Sequence, residues 1–191
     1  MDELKRMPAK TRPRKVLDMA YIALMAVLLA VCSWIAVPIE IPFTMQTFAL
    51  FCALGLLGGR RGTAAVLVYI LMGAVGLPVF SGFGGGLGRL LGVTGGYIIG
   101  FVFTGLVYWL VTAVLGEKLW AMTLGLVLGA LAYYVFGTVW YVLMYAAGTG
   151  EAGVAAAIAK CVVPFLIPDA VKLALALLVV RTLPKHVRIE R

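Results

Sequence analysis

Pro164-Phe-Leu-Ile-Pro168-Asp169-Ala-Val-Lys172 opens the last of several long apolar stretches, and its reading decides the fold. From Leu173 to Val180 every residue is apolar, the pattern of a membrane helix. An ionised side chain at bilayer depth costs about 2.5–3.5 kcal/mol even on lenient scales, so Asp169 and Lys172 need compensation. Pro168 suits the first helical position, which would place Asp169 in the first turn, where unpaired N–H groups and the helix dipole favour a carboxylate. Lys172, three residues on, would share its face. Two readings stay open: an ion pair that locks two helices, or a polar patch on a cavity that receives a ligand.

The rest of the chain is equally apolar. Of 191 residues, 63% are hydrophobic and 13% charged, against about a quarter charged in soluble domains. With roughly 20 residues per membrane helix, the chain has room for five to seven spans and no sizeable soluble domain. Cys32, Cys52 and Cys161 are unevenly spaced, and His186, the single histidine, sits in a basic tail. This pattern indicates no disulfide framework, metal site or cofactor. The mostly apolar run after the charged N-terminus lacks an A-x-A-like cleavage site and reads as a retained first span.

The expected organisation is all-α: a basic cytoplasmic arm (1–15), one six-helix transmembrane domain (16–183) and a basic cytoplasmic tail (184–191). Span 1 is expected over Val16–Val37, ending before Pro38. Within it, Ala20, Ala23, Ala26 and Ala30 recur at three- and four-residue spacing, a small-residue face suited either to contact inside the bundle or to docking a separate membrane subunit. Span 2 is expected over Phe43–Leu57, with Thr44, Gln46 and Thr47 at its mouth; Gln46 has both donors and an acceptor for a ligand. After the basic turn Gly58-Gly-Arg60-Arg61-Gly62, span 3 covers Thr63–Leu77.

The longest irregular segment, Ser81 to Tyr97, is rich in glycine but contains neither GxGxxG nor GxxxxGK[ST], which removes a nucleotide-binding reading. Gly88, Gly92, Gly96 and Gly100 lie four apart and predict a packing ridge at the entrance of span 4, Gly95–Leu115. Span 5 covers Leu119–Ala147, and its Tyr133, Tyr134, Phe136, Trp140, Tyr141 and Tyr145 read as an interfacial aromatic belt. Glu151–Cys161 reads as a short surface helix, and span 6 ends near Leu183.

Six spans put both termini on one side. Thirteen of the sixteen Lys and Arg residues then fall inside, as the positive-inside rule expects. Lipid headgroups and topology account for the net charge of +8; no aromatic-basic platform points to nucleic acid. The exceptions are Arg89, Lys160 and Lys172, on the outer side. A pocket there would combine one fixed anion-binding group with an Asp–Lys pair, which suits a small organic acid with a hydrogen-bonding head.

Pro42-x-Thr44-x-Gln46-Thr-Phe, Gly76-Leu-Pro-Val-Phe80, Gly85-Gly86, Gly92-x-Thr94-Gly-Gly-Tyr97 and Pro164-Phe-x-x-x-Asp169-x-x-Lys172 occur in order along spans 1 to 6. Together they resemble the BioY family, the biotin-binding S component of energy-coupling factor transporters. The resemblance implies a bundle in a prokaryotic cell membrane that captures biotin from outside and docks through span 1 on a transmembrane coupling subunit driven by paired ATPases. It also implies that Asp169 and Lys172 contact biotin; charge adds Arg89 for the carboxylate, and Thr44, Gln46 and Tyr97 complete the expected site. Val93 departs from a family Gly-Pro-Thr-Gly-Gly run. The alternatives are an ion-coupled secondary carrier for a small organic acid, which calls for inverted repeats that the unequal halves do not show, and a membrane-embedded enzyme, for which the bundle offers no second carboxylate, nucleophile–base pair or metal set.

Overall fold

The computed structural model describes residues 14–37, 42–149 and 153–183. Most of the expected basic arm, all of the tail, loop residues 38–41 and the expected helix start at Glu151 lie outside them. Helix α1, Arg14–Trp34, contains neither Gly nor Pro and is rich in Leu, Ala and Met, all strong helix formers. It starts inside the expected arm and stops short of the expected Val37. Ala36–Val37 (β1) instead pairs antiparallel with Phe43–Thr44 (β2), in the register Ala36 to Thr44 and Val37 to Phe43. The strand pairing satisfies backbone groups that a longer helix would have used, and it delays the next helix from Phe43 to Gln46.

Helix α2, Gln46–Ala74, is folded in two at Gly58, whose φ of 80° is open to glycine and strained for other residues. The reversal follows from contacts across the break. Gln46 Nε2 lies 2.7 Å from the Tyr69 hydroxyl, whereas 23 residues of straight helix would separate the two by roughly 34 Å. A Cβ on Gly62 would lie 2.8 Å from Leu54 Cα, so the arms are pressed together. Within the expected turn 58–62 only Gly58 leaves the helix; the residues after it begin the second arm.

Beyond α2 the chain is held against α1. Trp34 Nε1 donates to the Pro78 carbonyl at 2.9 Å, and the Val79 carbonyl accepts from the hydroxyls of Ser33 and Tyr69. A 3-10 turn, Ser81–Phe83, and the four-residue helix α3, Leu87–Leu90, lead to α4, Gly95–Leu115, at the expected bounds. Helix α5, Leu119–Thr149, packs closely along α4. The expected glycine ridge is only half realised: Gly96 and Gly100 lie against α5, while a Cβ on Gly88 would meet nothing and Gly92 faces its own loop. The loop is not helical through residues 91–94, so four-residue spacing does not align those glycines with α4. On the facing helix, Gly137 accommodates Tyr97, as Gly100 accommodates Tyr133.

Helix α6, Val154–Cys161, lies beside α5 and α7. Helix α7 runs Val163–Thr182, five residues ahead of the expected start at Pro168. Pro164 occupies the opening turn, and Pro168 lies inside the helix, where its missing N–H leaves the Pro164 carbonyl without a helical partner. Asp169 is therefore not a first-turn residue, and the helix-dipole account of its stability does not apply.

Among the described residues five helices are long and apolar enough to cross a membrane, the folded α2 among them. Their outer faces carry exposed Leu, Val, Ile and Phe, and the buried core includes Leu50, Leu54, Tyr69, Phe80, Tyr108 and Leu126. Near the far end of the bundle from β1 and β2, Arg61 pairs with Asp18 at 3.1 Å and ties the start of the second α2 arm to α1.

Candidate ligand-binding site

Asp169 and Lys172 come from α7 into a wall completed by the start of α2 and the middle of α5. Both are buried, at 7% and 4% exposure. Lys172 Nζ lies 2.8 Å from Asp169 Oδ1, and a bare pair of this kind rarely offsets its desolvation cost. Here neighbours fill every remaining valence. The Thr47 hydroxyl donates to Asp169 Oδ1 at 2.9 Å, and Oδ2 accepts from the hydroxyls of Tyr133 and Tyr134, the latter at 2.6 Å. Lys172 also donates to the Thr44 carbonyl at 2.7 Å and to Thr47 Oγ1 at 3.1 Å, with its ammonium 4.0 Å from the Phe43 ring centroid. A carboxylate has about four acceptor sites and an ammonium three donors, and all seven are used.

The network explains the short β-hairpin. Pairing of β1 with β2 fixes the backbone at Thr44, so its carbonyl meets an ammonium arriving from α7. The tyrosines are placed by α4–α5 packing: Gly100 leaves room for Tyr133, whose ring meets Phe101 edge-on at 5.5 Å and Tyr134 at 4.3 Å.

The pair borders a cavity of about 100 Å³, well above the roughly 10–15 Å³ that one water needs. All six expected site residues line it: Thr44, Gln46, Arg89, Tyr97, Asp169 and Lys172. Their roles differ. Gln46 is already bonded to Tyr69, and the Thr44 hydroxyl lies 3.3 Å from the Gln46 backbone N–H, which donates to it. Tyr97 shares a 3.1 Å hydrogen bond with Thr138. Arg89 is exposed on α3, its Nη2 3.4 Å from the Ser81 carbonyl, so the cavity runs from a buried ion pair to an open end carrying a cation. Phe101 and Phe165 add apolar wall between polar groups.

Tyr133 and Tyr134 correct the sequence reading, which put them in an interfacial belt. They are 3% and 7% exposed and serve the carboxylate. Thr47, read from the sequence only as a polar residue at the mouth of span 2, bridges acid and base. Tyr145, also assigned to the belt, lies outside the residues whose side chains are described. The four alanines of α1 do not form one exposed face either: Ala26 and Ala30 are buried among core residues, whereas Ala20 and Ala23 are exposed. Among the described residues no cluster of His, Cys, Asp or Glu is arranged to hold a metal ion.

The chain matches the BioY family model over residues 5–189. It is 37% identical over 165 residues to a protein of Thermotoga maritima named biotin transporter BioY, a match covering 86% of this chain and 93% of that one. A probable biotin transporter BioY of Pyrococcus horikoshii is 35% identical over 171 residues, 88% and 97% of the two chains. The crystal structure of the S-component for biotin from an ECF-type ABC transporter superposes with a TM-score of 0.79 at 25% identity, covering 91% of this chain and 93% of its own.

Proposed function

The chain belongs to the BioY family, and from that membership we propose that it takes up biotin as the S component of an energy-coupling factor transporter, a multi-pass protein of a prokaryotic membrane. One observation carries the site assignment: a buried, fully bonded acid–base pair and an exposed Arg89 line the same cavity. Biotin's shape and polarity match that gradient. Its ureido head brings N–H donors and a carbonyl to the Asp169–Lys172 end, its apolar bicycle lies against Phe101 and Phe165, and its carboxylate meets Arg89 in a charge-assisted contact weakened by water.

The two arms of α2 supply two crossings, so the bundle crosses six times, with both termini cytoplasmic and the cavity opening outside. The placement of Arg60, Arg61 and Lys118 away from the cavity supports this orientation. Docking on the coupling subunit falls to the outer face of α1 around Ala20 and Ala23, which stay exposed. The role is capture and delivery, with no catalytic step.

Calorimetry of the purified protein with biotin tests the proposal, together with mass spectrometry of small molecules that co-purify. A folded protein that ignores biotin and carries another solute would overturn it.

A further inference from the structure

Asp169 has no free acceptor site. Thr47 and Lys172 occupy Oδ1, and Tyr133 and Tyr134 occupy Oδ2. A ligand N–H therefore reaches the carboxylate only by replacing a donor already there. Lys172 is held at three points and carries the compensating charge, and Thr47 bridges both ions, so neither leaves without uncovering a buried charge. The tyrosine hydroxyls are neutral and line the cavity. Of the two, the Tyr133 ring is packed between Phe101 and Tyr134 and is the more buried, at 3% against 7%.

We infer that the Tyr134 hydroxyl is a stand-in for a ligand N–H: it occupies the Asp169 Oδ2 position that the ligand takes, and yields it on binding. The inference rests on the proposal that a ureido compound binds at this site. Tyr134 keeps an ionised carboxylate satisfied while the cavity is empty, and on exchange its hydroxyl turns to the cavity, which has room for water. Tyr133 keeps its bond throughout and fixes the carboxylate's direction. The exchange makes the site selective for donors. A ligand lacking an N–H at this point leaves Oδ2 short of a partner or fails to dislodge the hydroxyl.

The test is calorimetry with biotin on wild type, Tyr134→Phe and Tyr133→Phe, with thermal melts showing all three folded. Tyr134→Phe should bind biotin more tightly by about three- to tenfold, the range of one net hydrogen bond, because the ligand no longer competes with the hydroxyl. Tyr133→Phe should show no such gain. A biotin methylated on the ureido nitrogens should bind Tyr134→Phe no better than wild type. Equal or weaker biotin binding by Tyr134→Phe overturns the inference, as does a gain shared by Tyr133→Phe or by the methylated compound. If wild type itself does not bind biotin, the proposed function has failed instead.

Discussion

Replacing Asp169 by Asn, alone and together with Lys172→Met, separates the two roles of the ion pair. In Asp169→Asn the amide oxygen can still accept from Tyr133 and Tyr134, with the amide nitrogen turned towards Thr47. Lys172 then keeps its charge at 4% exposure and loses the carboxylate that balances it. Breaking a buried pair from one side costs about 3–5 kcal/mol, which for a chain of this size lowers the melting temperature by about 6–20 °C. Adding Lys172→Met removes the stranded charge and keeps most of the side-chain volume. What remains unpaired is chiefly the Thr44 carbonyl, worth about 1–3 kcal/mol. The double variant should thus melt above the single one, about 2–12 °C below wild type, while neither binds biotin. Fluorescence-monitored melts in detergent and calorimetry give the two readouts. A single variant as stable as wild type, or a double variant no more stable than the single, would refute the account of the network. A folded double variant that retains wild-type affinity would leave the pair a structural lock.

At the open end of the cavity, Arg89→Ala should weaken biotin binding by a few-fold, less than Asp169→Asn does, since its contact is exposed. Biotin amide, which lacks the carboxylate charge, should bind wild type and Arg89→Ala alike; an equal loss for acid and amide would remove Arg89 from the carboxylate. On α1, Ala23→Trp should abolish transport by the assembled complex while biotin binding to the isolated chain persists. Ala26→Trp should reduce both, because residue 26 is completely buried. If the two variants behave alike in paired binding and uptake assays, the division of this helix into inner and outer faces is wrong.

Asp169 and Lys172 are legible in the sequence because charge in an apolar run demands compensation, by a structural ion pair or at a ligand site, and Arg89 because it breaks the charge asymmetry. Tyr133 and Tyr134 are not. An aromatic pair in a long membrane helix is common, and only the approach of α7 to α5 gives the hydroxyls an anion to serve. Local signals misled where two of them competed. Pro168 marked a helix start in isolation, yet Pro164 already supplied one, and a membrane helix tolerates an interior proline when neighbours satisfy the freed groups. The alanine spacing on α1 was visible, but spacing does not say which alanines face inward. The break at residues 58–62 was legible as a glycine-rich basic turn; its sharpness was not, since it depends on one φ value at Gly58.

The fold at Gly58 also bears on the depth of the ion pair. At 1.5 Å per residue the two arms of α2 reach only about 18 and 24 Å, against roughly 31 Å for α4, while a typical hydrocarbon core is about 30 Å thick. The first arm begins at Gln46, within the cavity lining. From Gln46 to Leu57 every residue of that arm but Phe48 is buried, so other helices and not lipid cover it. An arm about 12 Å shorter than that core starts below the membrane surface, and the ion pair beside it is reached through the protein's own cavity.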